Sequence, residues 1–287
     1  MRSTSTGRAG LAALPLTVAL TLSGATAGMA SETSPSGSTA DTAVLLPAPS
    51  TFGLQPLILA SSTAVGQGRA VLVAAPATEP AAKLPACRYR DKLTRHHKTK
   101  HWRKTLLDTN LRLKRGYEPW DLVSVRRASV QGSGRVRKVI ISDLRAMAEA
   151  ARKAGKPFAV RSAYRSYATQ VATFDSWVQR SGYQQALKFS ARPGHSEHQL
   201  GTTVDFTTAP GVPLRSSFGK SAPGKWLKKH SWKYGFIMSY PKGKRRVSCY
   251  GYEPWHFRHV GRKNARAIHE SGQVPRRYFW QNHESPS

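Results

Sequence analysis

Arg192-Pro193-Gly194-His195-Ser196-Glu197-His198-Gln199-Leu200-Gly201-Thr202-Thr203-Val204-Asp205 is the stretch on which the reading of this chain turns. Two histidines and two acids stand among Pro and Gly turns and then run into β-branched residues. Neutral imidazole and carboxylate are ligands that Zn²⁺ takes in catalytic sites, which use three protein groups and keep a fourth position open. Downstream, Glu253-Pro254-Trp255-His256 offers a further histidine and a spare carboxylate. The working expectation is one zinc site assembled from these two stretches.

Local geometry constrains how they meet. His198 and Asp205 could share one helix face, but Gly201, Thr202, Thr203 and Val204 are poor helix formers. A loop feeding a strand is expected instead. Pro254 disfavours a helix interior, and on a straight strand residues three apart face opposite sides. Glu253 can therefore join His256 only across a turn or bulge, for which Gly251 and Pro254 are suited.

The chemistry explains the residue types. Zinc held by three ligands lowers the pKa of its water to about 7. A carboxylate that is not a ligand can take the proton as water attacks a carbonyl, then deliver it to the leaving amine. A cation stabilises the oxyanion, and Arg165, on a turn before a helix, is the best-placed candidate. No His-Glu-x-x-His helix is present, so the chain is not a zincin. The bland alternative is that His198 and His256, two of 10 histidines, are surface or capping residues.

Composition bounds the setting. The 287 residues suffice for one or two domains with a real core. Lys+Arg number 45 against 15 Asp+Glu, a net charge of +30, and nearly all of the excess follows Cys87. Such a field attracts polyanions, and nucleic acid, anionic wall polymers and anionic membrane are all admissible on charge alone. The N-terminus narrows the choice. Arg2 and Arg8 precede an apolar run, and Ala25-Thr26-Ala27 offers a small-x-small cleavage site. A signal peptide over 1–27 and a secreted, cell-wall-associated protein are expected, without lipid or transmembrane anchor; intracellular nucleic-acid binding fits poorly. Export makes Cys87 and Cys249 candidates for one disulfide. Residues 28–86, rich in Ala, Ser, Thr and Pro without helical or strand period, are expected to be a disordered linker.

After it come a basic lead-in over 88–115 and a single catalytic domain over 87–275, then a tail over 276–287. The lead-in is either a polyanion-binding face or a solvated rim; its histidines lack a paired spacing for metal. Ile140, Leu144, Met147, Ala148 and Ala151 recur at helical spacing. Phe158–Ser162 reads as a strand, Ser166 as the N-cap of a helix closed by Gly182, Trp226–His230 as helical, Phe236–Tyr240 and Trp255–Val260 as strands, and Arg262–Glu270 as a last helix. The fold class expected is α+β, with a small central antiparallel sheet and flanking helices.

Ser196-x-His198-x-x-Gly201-x-x-x-Asp205 followed by Glu253-x-x-His256 resembles the zinc D-alanyl-D-alanine carboxypeptidases of the VanY type, in the superfamily of lysostaphin-like, D-Ala-D-Ala and hedgehog folds. The likeness extends to Ser162-Ala163-Tyr164-Arg165-Ser166-Tyr167-x-x-Gln170, to Gly235-Phe236-Ile237 with Tyr240-Pro241, and to Tyr117-x-Pro119-x-Asp121-Leu122-Val123, roughly residues 105–270. The resemblance implies that His198, Asp205 and His256 ligate zinc, that Glu253 is the base, that Arg165 stabilises the transition state, and that Ser196 and Gln170 help bind substrate. His195 and Glu197 then become bystanders. Thr203, where the family usually has Ala, and His259, where an aromatic is usual, are departures that remove no catalytic group. The expected activity is release of terminal D-Ala from peptidoglycan stem peptides by a monomer. D,D-dipeptidase, L,D-carboxypeptidase and cell-wall endopeptidase activities share the same zinc set. A wall- or polyanion-binding module with a vestigial metal site is the non-enzyme alternative.

Overall fold

Alternating apolar residues in two short strands, Val204 and Phe206 in one and Phe257 in the other, form the middle of the molecule. In chain order, the described residues of this computed structural model, 82–286, begin with β1 (Lys92–Leu93), β2 (Leu111–Arg112), β3 (Leu122–Ser124), β4 (Gln131–Gly132) and β5 (Arg135–Arg137). There follow α1 (Ile141–Lys153), β6 (Ala159–Ser162), α2 (Tyr167–Ser181), α3 (Tyr183–Phe189) and β7 (Thr203–Thr207). The chain continues through α4 (Ala222–His230), β8 (Phe236–Met238), α5 (Arg245–Ser248), β9 (His256–His259), α6 (Arg262–Ser271) and α7 (Pro275–Phe279). The expected signal peptide, and the expected linker as far as residue 81, lie outside the described residues. No helix among the described residues is long and apolar enough to cross a membrane.

The central sheet has the order β4-β6-β7-β9-β8. Its β6–β7, β7–β9 and β9–β8 pairs are antiparallel, whereas β4 joins β6 in parallel. The expected antiparallel sheet is therefore a mixed one. A two-residue strand carries no alternation from which that pairing could be read, and a glycine makes it possible. Gly132 has φ 115°, and a Cβ there would overlap the Val160 carbonyl.

Val204 and Phe257 stand opposite one another and face α1, whose Leu144, Met147, Ala148 and Ala151 are buried against them. Each buried Val, Leu, Met or Phe of this set contributes roughly 1.5–3 kcal/mol relative to exposure, and each alanine less. α2 begins where expected, with the Ser166 hydroxyl accepting the Thr169 N–H, and stops at Gly182. The chain then turns into α3, which sequence periodicity did not reveal; it lies against α2 and buries Phe174, Ala186 and Leu187.

The basic lead-in is neither only a face nor only a rim. Arg88, Arg90, Lys92, Arg103 and Lys104 are exposed, while Trp102, Leu106, Leu107, Leu111 and Leu113 are buried. Leu106 and Leu111 pack with Ile237, Val260, Ile268 and Phe279. Phe279 belongs to the segment expected as a tail, and so does Glu284, which accepts from Thr94 Oγ1 at 3.0 Å and from the Arg95 N–H. Residues 276–284 are thus part of the fold. A one-turn helix of Arg, Tyr and Phe has too few positions to show an amphipathic period. Cys87 and Cys249 are disulfide-bonded, with Cα atoms 5.3 Å apart.

Candidate active site

The register of β7 on β9 generates the site. Asp205 is directly opposite His256, as Thr203 is opposite Arg258; residues opposite each other on antiparallel strands project to the same face. His198 arrives from the turn before β7, in a short 3-10 helix over Glu197–Leu200 that Gly201 ends in the left-handed conformation. Ser196 caps that helix through its hydroxyl, which accepts the His198 N–H. The loop-then-strand arrangement follows the residue propensities. Between Glu253 and His256 the chain makes a turn, closed by His256 N–H to Glu253 C=O at 3.2 Å. That turn returns the Glu253 carboxylate to the His256 side, with Oε2 at 3.6 Å from Nδ1.

One ligand atom each from His198, Asp205 and His256 lies within 4.8 Å of the others, and all three residues are buried. The ring nitrogens facing inward are identified by their opposite partners. His198 Nδ1 is 2.7 Å from the Ala163 carbonyl, which can only accept, so Nδ1 carries the proton and Nε2 presents its lone pair, 3.2 Å from Asp205 Oδ2. His256 Nε2 is 3.0 Å from Glu197 Oε2, and Nδ1 turns inward, 3.1 Å from Asp205 Oδ1. Without a metal ion the Nδ1 proton of His256 bridges to Asp205; once that proton is given up, two imidazole lone pairs and a carboxylate converge on one point, an arrangement that calls for a cation. The donor set, with each imidazole anchored through its other nitrogen, fits Zn²⁺.

The electrostatics follow from burial and contact. Burial opposes charge on Asp205, but the adjoining His198 and His256 hold its carboxyl well below the usual range. His256 is driven the other way: burial disfavours its charged form, and the hydrogen bonds to Asp205 and Glu197 overcome this and raise it to about 10. Burial pushes Glu253 up to about 7, near neutrality, where a group that takes and returns a proton works best. Burial lowers Arg165, whose charge is felt by both Asp205 and Glu253.

Arg165 sits on the β6–α2 turn with its N–H bonded to the His198 carbonyl. Its guanidinium is oriented by Gln170 Oε1 at 2.8 Å and Ser162 Oγ at 3.3 Å. Arg165, Ser196, His198, Asp205, Glu253 and His256 line one cavity of about 200 Å³, whose rim carries Trp177, Phe189, Leu214 and Trp255. Gln170, expected at the substrate, is fully buried behind Arg165, and its amide donates to Ser190 and Ala191. His195 is turned away from the cavity, with ring nitrogens on the Asp108 carbonyl and on Asp91. His259 also faces away, onto Asp143 at 2.8 Å. Thr203 is fully buried on β7, opposite Arg258.

Glu197 is where sequence reasoning missed. Expected as a bystander, it is buried with its Oε2 on His256 and Ser239 and its Oε1 on Arg258 at 2.9 Å. Burial raises its pKa, but Arg258 and then His256 outweigh it and leave Glu197 at about 2. The one available signal was an acid flanking a candidate ligand and a cation two residues after another.

Comparison with known proteins gives a consistent result. Residues 133–262 match the family model VanY, D-alanyl-D-alanine carboxypeptidase. The putative carboxypeptidase YodJ of Bacillus subtilis (strain 168) is 41% identical over 145 residues, which cover 50% of this chain and 53% of that one; the chain thus spans about half the length of this relative. The LdcB LD-carboxypeptidase structure, described as revealing the molecular basis of peptidoglycan recognition, aligns with a TM-score of 0.58 and 33% identity, over 68% of this chain and 98% of that chain. A mutant of the vancomycin-resistance D,D-pentapeptidase VanY in complex with Zn(II) aligns with a TM-score of 0.53 and 27% identity, over 62% and 98% respectively.

Proposed function

Because the chain belongs to the VanY D-alanyl-D-alanine carboxypeptidase family, we propose that it is a secreted zinc metallopeptidase that hydrolyses the terminal D-Ala-D-Ala bond of peptidoglycan stem peptides. The observation that carries this reading is the convergence of two imidazole nitrogens and one carboxylate in a cavity that also holds a non-ligand carboxylate and a guanidinium. In this reading His198 Nε2, Asp205 and His256 Nδ1 hold the ion. Bound there, Zn²⁺ supplies Lewis acidity to a water molecule and to the scissile carbonyl. Glu253 accepts the proton of the attacking water and returns it to the leaving D-Ala nitrogen. Arg165, fixed by Gln170 and Ser162, stabilises the charge developing on the carbonyl oxygen. Ser196 presents its side chain at the cavity wall to substrate.

The disulfide supports an extracytoplasmic location, since such bonds persist in oxidising compartments. Exposed cations of the lead-in favour contact with anionic wall polymers; binding to purified wall that weakens steeply with salt supports that contact, and salt-independent binding removes it.

The test uses the purified protein with zinc, given D-Ala-D-Ala, a stem pentapeptide and a tetrapeptide, beside Glu253→Gln. Chelator-sensitive release of D-Ala from the pentapeptide is expected. Similarity to the LdcB LD-carboxypeptidase motivates a second reading; release of D-Ala from the tetrapeptide alone selects it. Absence of turnover on every substrate by zinc-loaded protein overturns the enzymatic reading.

A further inference from the structure

We propose that Glu197 is a positioning residue of the metal centre: it fixes the tautomer and orientation of His256, and it is itself held by Arg258. Through Arg258 it is anchored to the lead-in, which precedes the segment matched by the family model. The proposal rests on reading His256 as a ligand and extends that reading outward.

The contacts form one unbroken chain. Glu197 Oε2 is 3.0 Å from His256 Nε2 and accepts Ser239 Oγ at 2.6 Å. Glu197 Oε1 accepts Arg258 Nη1 at 2.9 Å. Arg258 Nη2 donates to the carbonyls of Trp102 at 2.8 Å and Thr105 at 2.6 Å. The Arg258 guanidinium lies 4.6 Å from the Phe279 ring, and its side chain is fully buried. A carboxylate whose two oxygens receive three donors has no rotational freedom left. A buried guanidinium next to it must stay paired, because an uncompensated charge in that environment is costly.

This geometry has a direct consequence at the ring. Glu197 holds a proton on Nε2 whether the ring is charged or neutral, so Nδ1, facing Asp205, is the atom that gives up its proton to a metal ion. Losing the acceptor frees the imidazole to rotate or to take the other tautomer, and either change withdraws a ligand atom. Partners that orient a metal-bound histidine typically carry about 10–100-fold in metal affinity. The lead-in is therefore an outer layer of the site as well as a covering of the core.

Zinc affinity by chelator competition and the NMR signal of the His256 Nε2–H proton in the metal-free protein are measured for the parent chain, Glu197→Gln and Arg258→Lys. In Glu197→Gln the amide NH₂ must face either Arg258 or His256, so one contact is lost. The expected result is an affinity lower by about 10–100-fold, with a shifted or rapidly exchanging Nε2–H signal and cooperative unfolding retained. Affinity within twofold of the parent, with an unchanged proton signal, overturns the proposal. If Glu197→Gln does not fold, Arg258→Lys decides by the same two readouts, because a lysine cannot reach Glu197 and both carbonyls together. If the parent binds no zinc, the metalloenzyme reading falls, and the proton signal alone still decides whether Glu197 positions His256.

Discussion

In the proposed function, Glu253 and His256 show how little separates a ligand from a base. They are three positions apart, and the turn through Pro254 brings both to the same cavity, yet only His256 has an atom in the three-ligand cluster. Division of labour predicts different losses. Glu253→Gln keeps the size of the side chain and the metal, and its kcat should fall by about 10²–10⁴-fold, with zinc content by elemental analysis unchanged. Arg165→Met should lower kcat by about 10²–10³-fold, again with zinc retained. Loss of metal in either variant would mean that the ligand assignment is wrong. At this scale the sequence was most informative where spacing is chemically dictated, as at His198, Asp205 and His256. It was silent on Glu197, because the partner that gives this residue its role is Arg258, brought alongside only when β9 pairs with β7. Gln170 shows the converse: the motif places it near the chemistry, and the fold puts it one layer behind Arg165.

Among the elements, periodic helices and the apolar strands β6, β8 and β9 were legible, and the shortest elements were not. α1 announces itself through residues recurring over several turns, and α2 through its cap and closing glycine. β4, with two residues, and α7, with five, depend on tertiary contacts that no local pattern records. The loop from α5 to β9 depends on a covalent tie. Cys249 closes α5 in the left-handed conformation, φ 70°, and is bonded to Cys87 across 162 positions of sequence. Four residues later comes Glu253. By the chain-entropy model, closing so long a loop is worth about 4–5 kcal/mol as an upper figure. Cys87→Ser with Cys249→Ser should lower the urea midpoint accordingly without changing zinc content. An unchanged midpoint would show that the hydrogen bonds of Arg276 to Val247 and Pro85 already hold these segments together.

For the molecule as a whole, two buried histidines away from the cavity, His195 and His259, work against stability in acid. Burial lowers His195 and His259 below the ordinary histidine value of 6.5. Their unfolded forms therefore bind protons that the folded forms do not, so stability rises with pH across that region. It should be fully present above about pH 6.5 and be lost as pH falls below that value and through the lowered folded pKa. Asp143 adds to the loss at lower pH. Burial opposes its charge, but hydrogen bonds from His259 and Arg262 outweigh that and hold its pKa below 3.8, so its contribution disappears as it protonates. In thermal melts between about pH 7.5 and 5 the midpoint should fall less for His259→Phe than for the parent, a difference in which the opposing pull of the raised Glu253 and His256 cancels; equal pH dependence in the two would remove this account. Overall architecture was legible as far as α+β goes. Its covering layer was hidden, because the charges of 88–115 dominate the composition of a segment whose leucines point inward.

The Trp280 indole N–H donates to the Ala82 carbonyl at 3.2 Å, so the first and last described parts of the chain meet at one spot on the surface. Neighbouring ends make the order in which the elements are strung dispensable. A circular permutant that joins residue 286 to residue 82 by a few glycines, and opens the chain at the exposed turn between Ala209 and Val212, keeps every strand pairing and the disulfide. It should fold cooperatively, with a urea midpoint close to the parent's. Its new ends would emerge just beyond β7, offering an attachment point for a probe close to the catalytic strand.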